Sequence, residues 1–598
     1  MAATADFVRS PSHRSEPSPR RAFLGSAIQS VLPSIIYAVA AVFIMWSYLA
    51  HPSVVHIKRN EGDEYMFEWA LSVTAHAVIH LHNPLFSSTV NAPMGVNMMG
   101  NNAILPLSIL FTPITLLLGA QVSFGWILTA NLVATAAAWR WFFGRHLPAE
   151  TVTGYRRNLL ISLGGLVCGF GPGMISHTLS HPNLTSQWLI PPIIDRVLRL
   201  RSGEHTVRDG ILLGLMITIQ AFLAEELLFT TFLTLGILLL CYAAQRPRDA
   251  WALIKASLSG FGIGLGVAAV LLAYPLWFQF FGPQSFREIP DSPLTHAANL
   301  KSYVLFPAQS IFGDPVLTRK FSPNYTEQES FFGWPLLVLT ALIALWHSRK
   351  DLLIRTSAIC AVILVILSWG PVPTFGKSVL HFNGLWYYIE GLPGFTDALP
   401  VRIALAAFPF VVLIVLRSLQ LSSRNHVAVQ GVVCAVTAAA LVPLIPTQVA
   451  VSNRAHIPQF VTSGAWAQCA GSGTVVTVPL PTNSDRDAVP WVTETGGAMR
   501  IPQAPLFVPG PNGVATVGPA PRPTSILLAR VDNDGRDPAV TAKNRTEATA
   551  DFAYWDAGCV AILPSAKNVD TDRQFLTALL GPGQLIGGVW AWKLPTTS

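Results

Sequence analysis

Charge is what this sequence lacks. Only 12% of its 598 residues are Asp, Glu, Lys or Arg, about half the share of an ordinary soluble domain. A soluble fold of this length could not cover its surface with so few charges. With hydrophobic residues at 51%, the class left is a polytopic membrane protein. Cysteine is also scarce. Six in the chain exclude a disulfide framework. Cys168, Cys241, Cys360 and Cys434 fall in apolar runs, where thiols act as small hydrophobes. Cys469 and Cys559 lie in a polar tail, and an exported tail would permit a bond between them. There is no Walker motif, no Gly-rich dinucleotide fingerprint and no His-Glu-x-x-His, so nucleotide-dependent chemistry is not indicated. The net charge of +7 comes without a basic cluster interleaved with aromatics, which argues against nucleic acid as a partner. Pro19-Arg20-Arg21-Ala22-Phe23-Leu24 has the look of a twin-arginine signal, but no small-residue cleavage site follows. It reads as a basic flank before the first span.

Long apolar runs are what is present. Spanning helices are expected near 30–50, 121–143, 158–177, 186–200, 209–223, 227–244, 252–278, 331–347, 352–369, 401–417 and 427–450. The run 103–119 holds Pro106 and Pro113 and is read as re-entrant rather than as a full span. Segments 1–29, 140–157, 196–208, 246–255, 347–355 and 417–424 then share one face and carry 20 Lys and Arg. The opposite face carries eight before residue 451, spread over longer loops. That bias puts the N-terminus in the cytoplasm and the tail outside. The expected architecture is a polytopic α-helical protein of about eleven spans over 30–450, with an outer loop at 51–102. Residues 1–29 are expected to be a disordered cytoplasmic start. From 455 to 598, strand-like runs such as Thr474–Val478 and Val560–Leu563 alternate with Pro and Gly turns, pointing to an extracytoplasmic α/β or mainly-β domain. The spans hold few buried ionisable residues, Asp195 and Lys255 being the exceptions, and no inverted repeat is visible. Both observations count against an ion-coupled transporter.

The outer loop opens Gly62-Asp63-Glu64-Tyr65. Two adjacent acids just outside a span repel each other and invite a cation, a shifted pKa or a substrate hydroxyl. Glu64, Glu68, Ser72, His76 and His80 recur every four residues, a slanted stripe on a helix lying in the membrane interface with its polar side to water. Asn91 to Asn97 supplies turn residues and amides able to meet sugar hydroxyls. His177, His181 and Asn183 follow the third span and suit an anionic phosphate better than zinc, since no local acid or thiol joins them. Glu225 and Glu226 stand in a turn between spans, where acids imply either a solvated turn or a water-filled cavity. Lys301 and Arg402 are cations of otherwise acid-rich outer loops.

This layout resembles the bacterial GT-C integral-membrane glycosyltransferases. The shared features are a first span, an acidic motif (Gly62-Asp63-Glu64-Tyr65) on a juxtamembrane helix, a re-entrant segment, further spans and an outward C-terminal domain. The resemblance implies transfer of a sugar, usually with inversion, from a polyprenyl-phosphate donor to an envelope glycan or glycolipid at the outer face of the cell membrane. It maps the family's loop acid onto Asp63, as base for the attacking hydroxyl, with Glu64 beside it. His76, Asn97, His177, His181, Asn183, Glu225, Glu226, Lys301 and Arg402 become substrate-binding candidates, with Arg402, Lys301 and His181 facing the leaving phosphate. No cofactor is required by the sequence; some relatives use a divalent cation (Mg, Mn or Ca), for which Glu225 and Glu226 are the candidate ligands. The expected partners are the lipid-linked donor, the acceptor and membrane lipids. The competing readings are a flippase of a lipid-linked glycan and a non-catalytic assembly protein.

Overall fold

The computed structural model describes residues 19–148, 152–289, 293–536 and 539–595. Most of the start expected to be disordered (1–18) lies outside them; the remainder belongs to a helix that already begins at Pro19. The helices in chain order are α1 (Pro19–Leu49), α2 (Glu61–Ile79), α3 (Leu105–Leu110), α4 (Thr112–Leu118), α5 (Ala120–His146), α6 (Gly154–Gly169), α7 (Pro172–His177), α8 (Pro182–Thr185) and α9 (Ile190–Leu200). They continue with α10 (Thr206–Leu223), α11 (Glu225–Gln245), α12 (Pro247–Phe281), α13 (Pro315–Arg319), α14 (Trp334–His347), α15 (Leu352–Ser368), α16 (Ala404–Ser422) and α17 (Val427–Leu441). Among the described residues, seven helices are long and apolar enough to cross a membrane: those over 31–49, 120–146, 206–223, 225–245, 247–281, 400–422 and 427–444. α14 and α15 are shorter apolar helices.

The structure departs from the eleven expected spans at 158–177 and 186–200. The first run breaks after Gly169, and α6 has only 16 residues, about 24 Å against a hydrocarbon core of roughly 30 Å. Pro172 cannot donate to the helix behind it, so the chain restarts as α7. The second run is not one span: α9 holds 11 residues, about 16 Å. The path from Gly169 to Leu200 is instead three short helices, α7, α8 and α9, of which the last two lie along α5. Asn131 of α5 donates to Pro182 O and the Thr185 and Ser186 hydroxyls, and Arg145, at the far end of α5, donates to the buried Asp195 at 2.9 Å. This broken stretch carries the chain down the same length of α5 that a single helix would have covered. Segment 103–119 is broken too, into helices of 6 and 7 residues, neither able to span alone.

Helix α2 overturns one expectation. The first three members of its four-residue stripe do not face water: Glu64, Glu68 and Ser72 are buried, whereas His76 is half-buried and His80 exposed. Arg454, just past the last membrane helix, donates to Glu64 at 2.5 Å and to Glu68 at 2.8 Å. Tyr48 of α1 donates to Glu68 at 3.1 Å, and the Ser72 hydroxyl donates to Thr493 O. The stripe is the seam between membrane helices and C-terminal region. Beside it, strand Val55–Ile57 pairs antiparallel with Val451–Asn453.

The C-terminal region contains a four-stranded sheet ordered 584–586, 589–593, 557–562, 474–478. The last two strands run parallel and the other neighbours antiparallel. Helices Pro523–Asp534, Ala542–Tyr554 and Val569–Leu580 supply side chains to its core, so its make-up is mixed α/β. A disulfide joins Cys469 to Cys559.

Candidate active site

The first turn of α2 holds Glu61, Asp63 and Glu64, where the helix dipole favours anions. Asp63 points away from the Glu64 seam and keeps 32% of its side chain exposed. Its Oδ2 accepts from His181 Nε2 at 3.0 Å, and its Oδ1 lies 3.5 Å from Arg486 Nη1. Arg486 comes from the C-terminal region and lies flat over Gly62, where a Cβ would sit 2.3 Å from the guanidinium. Glycine here is what lets the cation reach Asp63. Burial alone would raise the Asp63 pKa, but the hydrogen bond and charge of His181 and the charge of Arg486 outweigh it, holding the carboxyl down at about 2.

Behind His181 stands His177, Nδ1 to Nδ1 at 3.2 Å. His177 Nε2 in turn approaches Glu329 Oε1 to 2.6 Å, though off a hydrogen-bonding angle, so both atoms count as buried and unpartnered. His177 sits at the end of α7, which packs tightly on its neighbours: a Cβ on Gly173 would meet Leu405 at 2.2 Å. Glu327 and Glu329 lie in a loop shaped by Asn324, whose Oδ1 accepts from the backbone N–H of Thr326 and Glu327 at 2.9 and 3.0 Å. The two acids carry different charge. Burial works to raise Glu327, but the charge and hydrogen bonds of Arg402 hold it well below the usual carboxylate range. Glu329 has no such partner; burial and then the Glu327 charge push it well above, so it keeps its proton. Arg402 donates to Glu327 at 2.6 Å and also to Glu226.

Burial pushes the His177 pKa well down, so His177 is neutral. It shares one hydrogen bond with His181 through their Nδ1 atoms, and His181 Nε2–H donates to the ionised Asp63. His177, His181 and Glu327 also bring one ligand atom each to within 4.8 Å of one another. Orphaned polar atoms, two imidazoles and the Glu327 carboxylate fit a divalent cation that accepts nitrogen ligands.

The sequence-derived candidates divide. Asp63, His177, His181, Glu226 and Arg402 come together. Glu64 does not join them and serves the seam. Glu225 accepts from Gln279 at 3.2 Å and Glu226 is paired with Arg402; among the described residues, three candidate ligand atoms come together at His177, His181 and Glu327. Arg402 is no free phosphate clamp, being bound by two carboxylates. Lys301 lies over the Phe321 ring at 4.8 Å. Asn97 is buried and donates to Phe278 O and Pro283 O; Asn183 Oδ1 is buried without a partner; His76 lies at the opposite end of α2 from Asp63. Sequence reasoning passed over Glu327, Glu329, Arg486 and Arg454. Two acids two apart in an otherwise polar loop, and an Arg between Asp485 and Asp487, carry no local pattern that marks a site.

The chain matches no protein-family model and no curated protein. Among solved structures, it is similar to the archaeal oligosaccharyltransferase AglB of Archaeoglobus fulgidus in complex with an inhibitory peptide and a dolichol-phosphate. The TM-score is 0.44 at 11% identity, over 91% of this chain and 70% of that one. It is likewise similar to the Archaeoglobus fulgidus oligosaccharyltransferase in complex with Zn and sulfate, with TM-score 0.44 and 10% identity, over 89% of this chain and 67% of that one.

Proposed function

We propose that this chain is a membrane glycosyltransferase that takes a sugar from a polyprenyl-phosphate carrier at the outer face of the cell membrane. It passes that sugar, with inversion, to an envelope glycan or glycolipid. The observation that carries the reading is Asp63: an ionised, part-open carboxylate at the head of α2, held by His181 and Arg486. In the reaction the acceptor oxygen bonds to the anomeric carbon. The bond from that carbon to the carrier phosphate breaks, and its electron pair leaves with the phosphate. A carboxyl with a pKa near 2 is a weak base for an intact hydroxyl. It suffices once the attacking oxygen is part-bonded and strongly acidic, so proton transfer to Asp63 is late. Arg486 and His181 fix the carboxylate through the step. His177, His181 and Glu327 would hold a divalent cation, Mn or Zn suiting two imidazoles better than Mg or Ca, and such an ion would supply positive charge for a leaving phosphate. The Cys469–Cys559 disulfide supports an exported C-terminal domain, since the cytoplasm keeps thiols reduced.

The test is transfer by the purified full-length chain in lipid nanodiscs, given a polyprenyl-phosphate sugar and glycan, glycolipid or peptide acceptors. Release of polyprenyl phosphate together with a glycosidic product is expected, with Asp63→Asn reducing it by about 10²- to 10⁴-fold. Donor crossing the bilayer without product would establish the flippase reading instead. No donor use, with function insensitive to Asp63 yet lost on deleting 455–598, would establish the assembly protein.

A further inference from the structure

The end of α2 opposite Asp63 carries three histidines that the transfer site does not use. His76 is half-buried in the last turn, and His80 and His82 are exposed just beyond it. They are close neighbours because of how the helix stops. Leu81 takes a left-handed conformation at φ 56°. The His82 N–H then bonds back to Ala77 O at 2.8 Å and the Leu81 N–H to Val78 O at 3.4 Å, a Schellman turn that folds the chain onto its own last turn. The ring centroids of His76 and His80 are 4.0 Å apart, and those of His80 and His82 5.9 Å. A bulky, fully exposed Leu has no local reason to adopt a left-handed backbone; the consequence of its doing so is to bring a third imidazole to a helical i, i+4 pair. Asn83 anchors the segment, donating to the Tyr274 hydroxyl at 3.2 Å.

We infer that His76, His80 and His82 form a surface site for a divalent transition metal of the zinc class, separate from the His177, His181 and Glu327 group. Two His four apart on one helix face are a sound half-site for such an ion. His80 is already oriented as a ligand: its Nδ1 lies 2.9 Å from His76 O. A carbonyl can only accept, so Nδ1 carries the proton and Nε2 presents its lone pair outward, the arrangement in which metal-bound imidazoles are usually held. Exposed His82 reaches that lone pair by side-chain rotation, and half-buried His76 by a turn of its ring, whose centroid is already 4.0 Å from that of His80. Water completes the shell, as at three-histidine zinc sites. The proposal does not depend on the glycosyltransferase reading.

The experiment measures zinc bound per chain. Full-length protein is stripped with chelator, equilibrated with Zn²⁺ by dialysis and assayed for metal, for the wild type, His80→Ala/His82→Ala and His177→Ala/His181→Ala. The first double variant is expected to hold one zinc fewer than the wild type, and the second to keep that ion. Equal zinc content in the wild type and His80→Ala/His82→Ala would overturn the site. As a check that needs no variant at these exposed positions, zinc X-ray absorption on His177→Ala/His181→Ala is expected to show a shell of three imidazoles. A spectrum without imidazole scattering would overturn it equally.

Discussion

Asp63 and His181 are 118 residues apart in sequence and 3.0 Å apart in the structure. Through His181 the part-open carboxylate connects to His177 and then to the wholly buried Glu329. The line runs from an acid that has lost its proton to one that retains it. The first prediction follows from that asymmetry. Gln mimics a protonated carboxyl but not an ionised one. Glu329→Gln is therefore expected to fold and to keep most of the activity. Glu327→Gln, two residues away, removes the buried charged partner of the part-buried Arg402 and is expected to cost about 3–5 kcal/mol of stability. Thermal unfolding in detergent, run beside the transfer assay, checks both; equal damage from the two substitutions would contradict the assigned charge states.

Arg486 lowers the pKa of Asp63 from the C-terminal side. Because the folded pKa is depressed, the carboxylate's function is intact above the ordinary carboxyl range and is lost only as pH falls through about 2. Removing Arg486 raises that folded pKa and moves the loss to higher pH. Arg486→Ala is expected to displace the acidic limb of kcat/KM upward. Gly62→Ala, which drives a methyl group into the guanidinium, is expected to act in the same direction by pushing Arg486 aside. An acidic limb unmoved in both variants would separate Arg486 from the site.

Much of the fold was legible in the composition, since scarce charge and repeated apolar runs have one common physical cause. The acidic head of α2 and the pair His177 and His181 were legible as well, because local spacing places them. What failed was anything decided by distant chain. The stripe Glu64, Glu68, Ser72 has the spacing of a water-facing helix side, and only Arg454, some 390 residues on, turns it into a buried seam. Glu327 and Glu329 differ in charge because one meets Arg402 and the other does not, which no local pattern records. The broken path from Gly169 to Leu200 was half visible, in Pro172, Pro191 and Pro192, but hydropathy averages over prolines and reports 158–177 and 186–200 as spans.

Among the described residues, Arg454 is the single cation paired with the two buried acids Glu64 and Glu68. Burial and then Glu68 push the Glu64 pKa well up, against the opposing charge of Arg454 and a hydrogen bond from Ile57 N. Replacing the Arg strands both acids. Arg454→Met is expected to destabilise the chain by about 3–5 kcal/mol, with loss of the seam between α2 and the strand pair at 451–453. The triple change Arg454→Met/Glu64→Gln/Glu68→Gln leaves no unpaired charge and is expected to recover most of that loss. Thermal melts of the three proteins decide it, and a triple variant no better than Arg454→Met would show that shape rather than charge holds the seam.

The C-terminal domain carries a pH dependence of the opposite sign. Asp572 is buried on helix Val569–Leu580 near Asp532, and burial together with the Asp532 charge raises its pKa to about 7. A carboxyl whose folded pKa lies above its unfolded value costs nothing while protonated in both states. The penalty starts as pH rises past the unfolded value near 4, grows with the cost of keeping a proton the unfolded chain has released, and levels off above about 7. Asn keeps the shape and the donor without the charge. Asp572→Asn is therefore expected to raise Tm at pH 8 and to leave it nearly unchanged at pH 4, where wild-type Asp572 is already neutral. The gain is expected to open across the interval between. A gain independent of pH would assign it to packing, and no gain at pH 8 would overturn the raised Asp572 pKa.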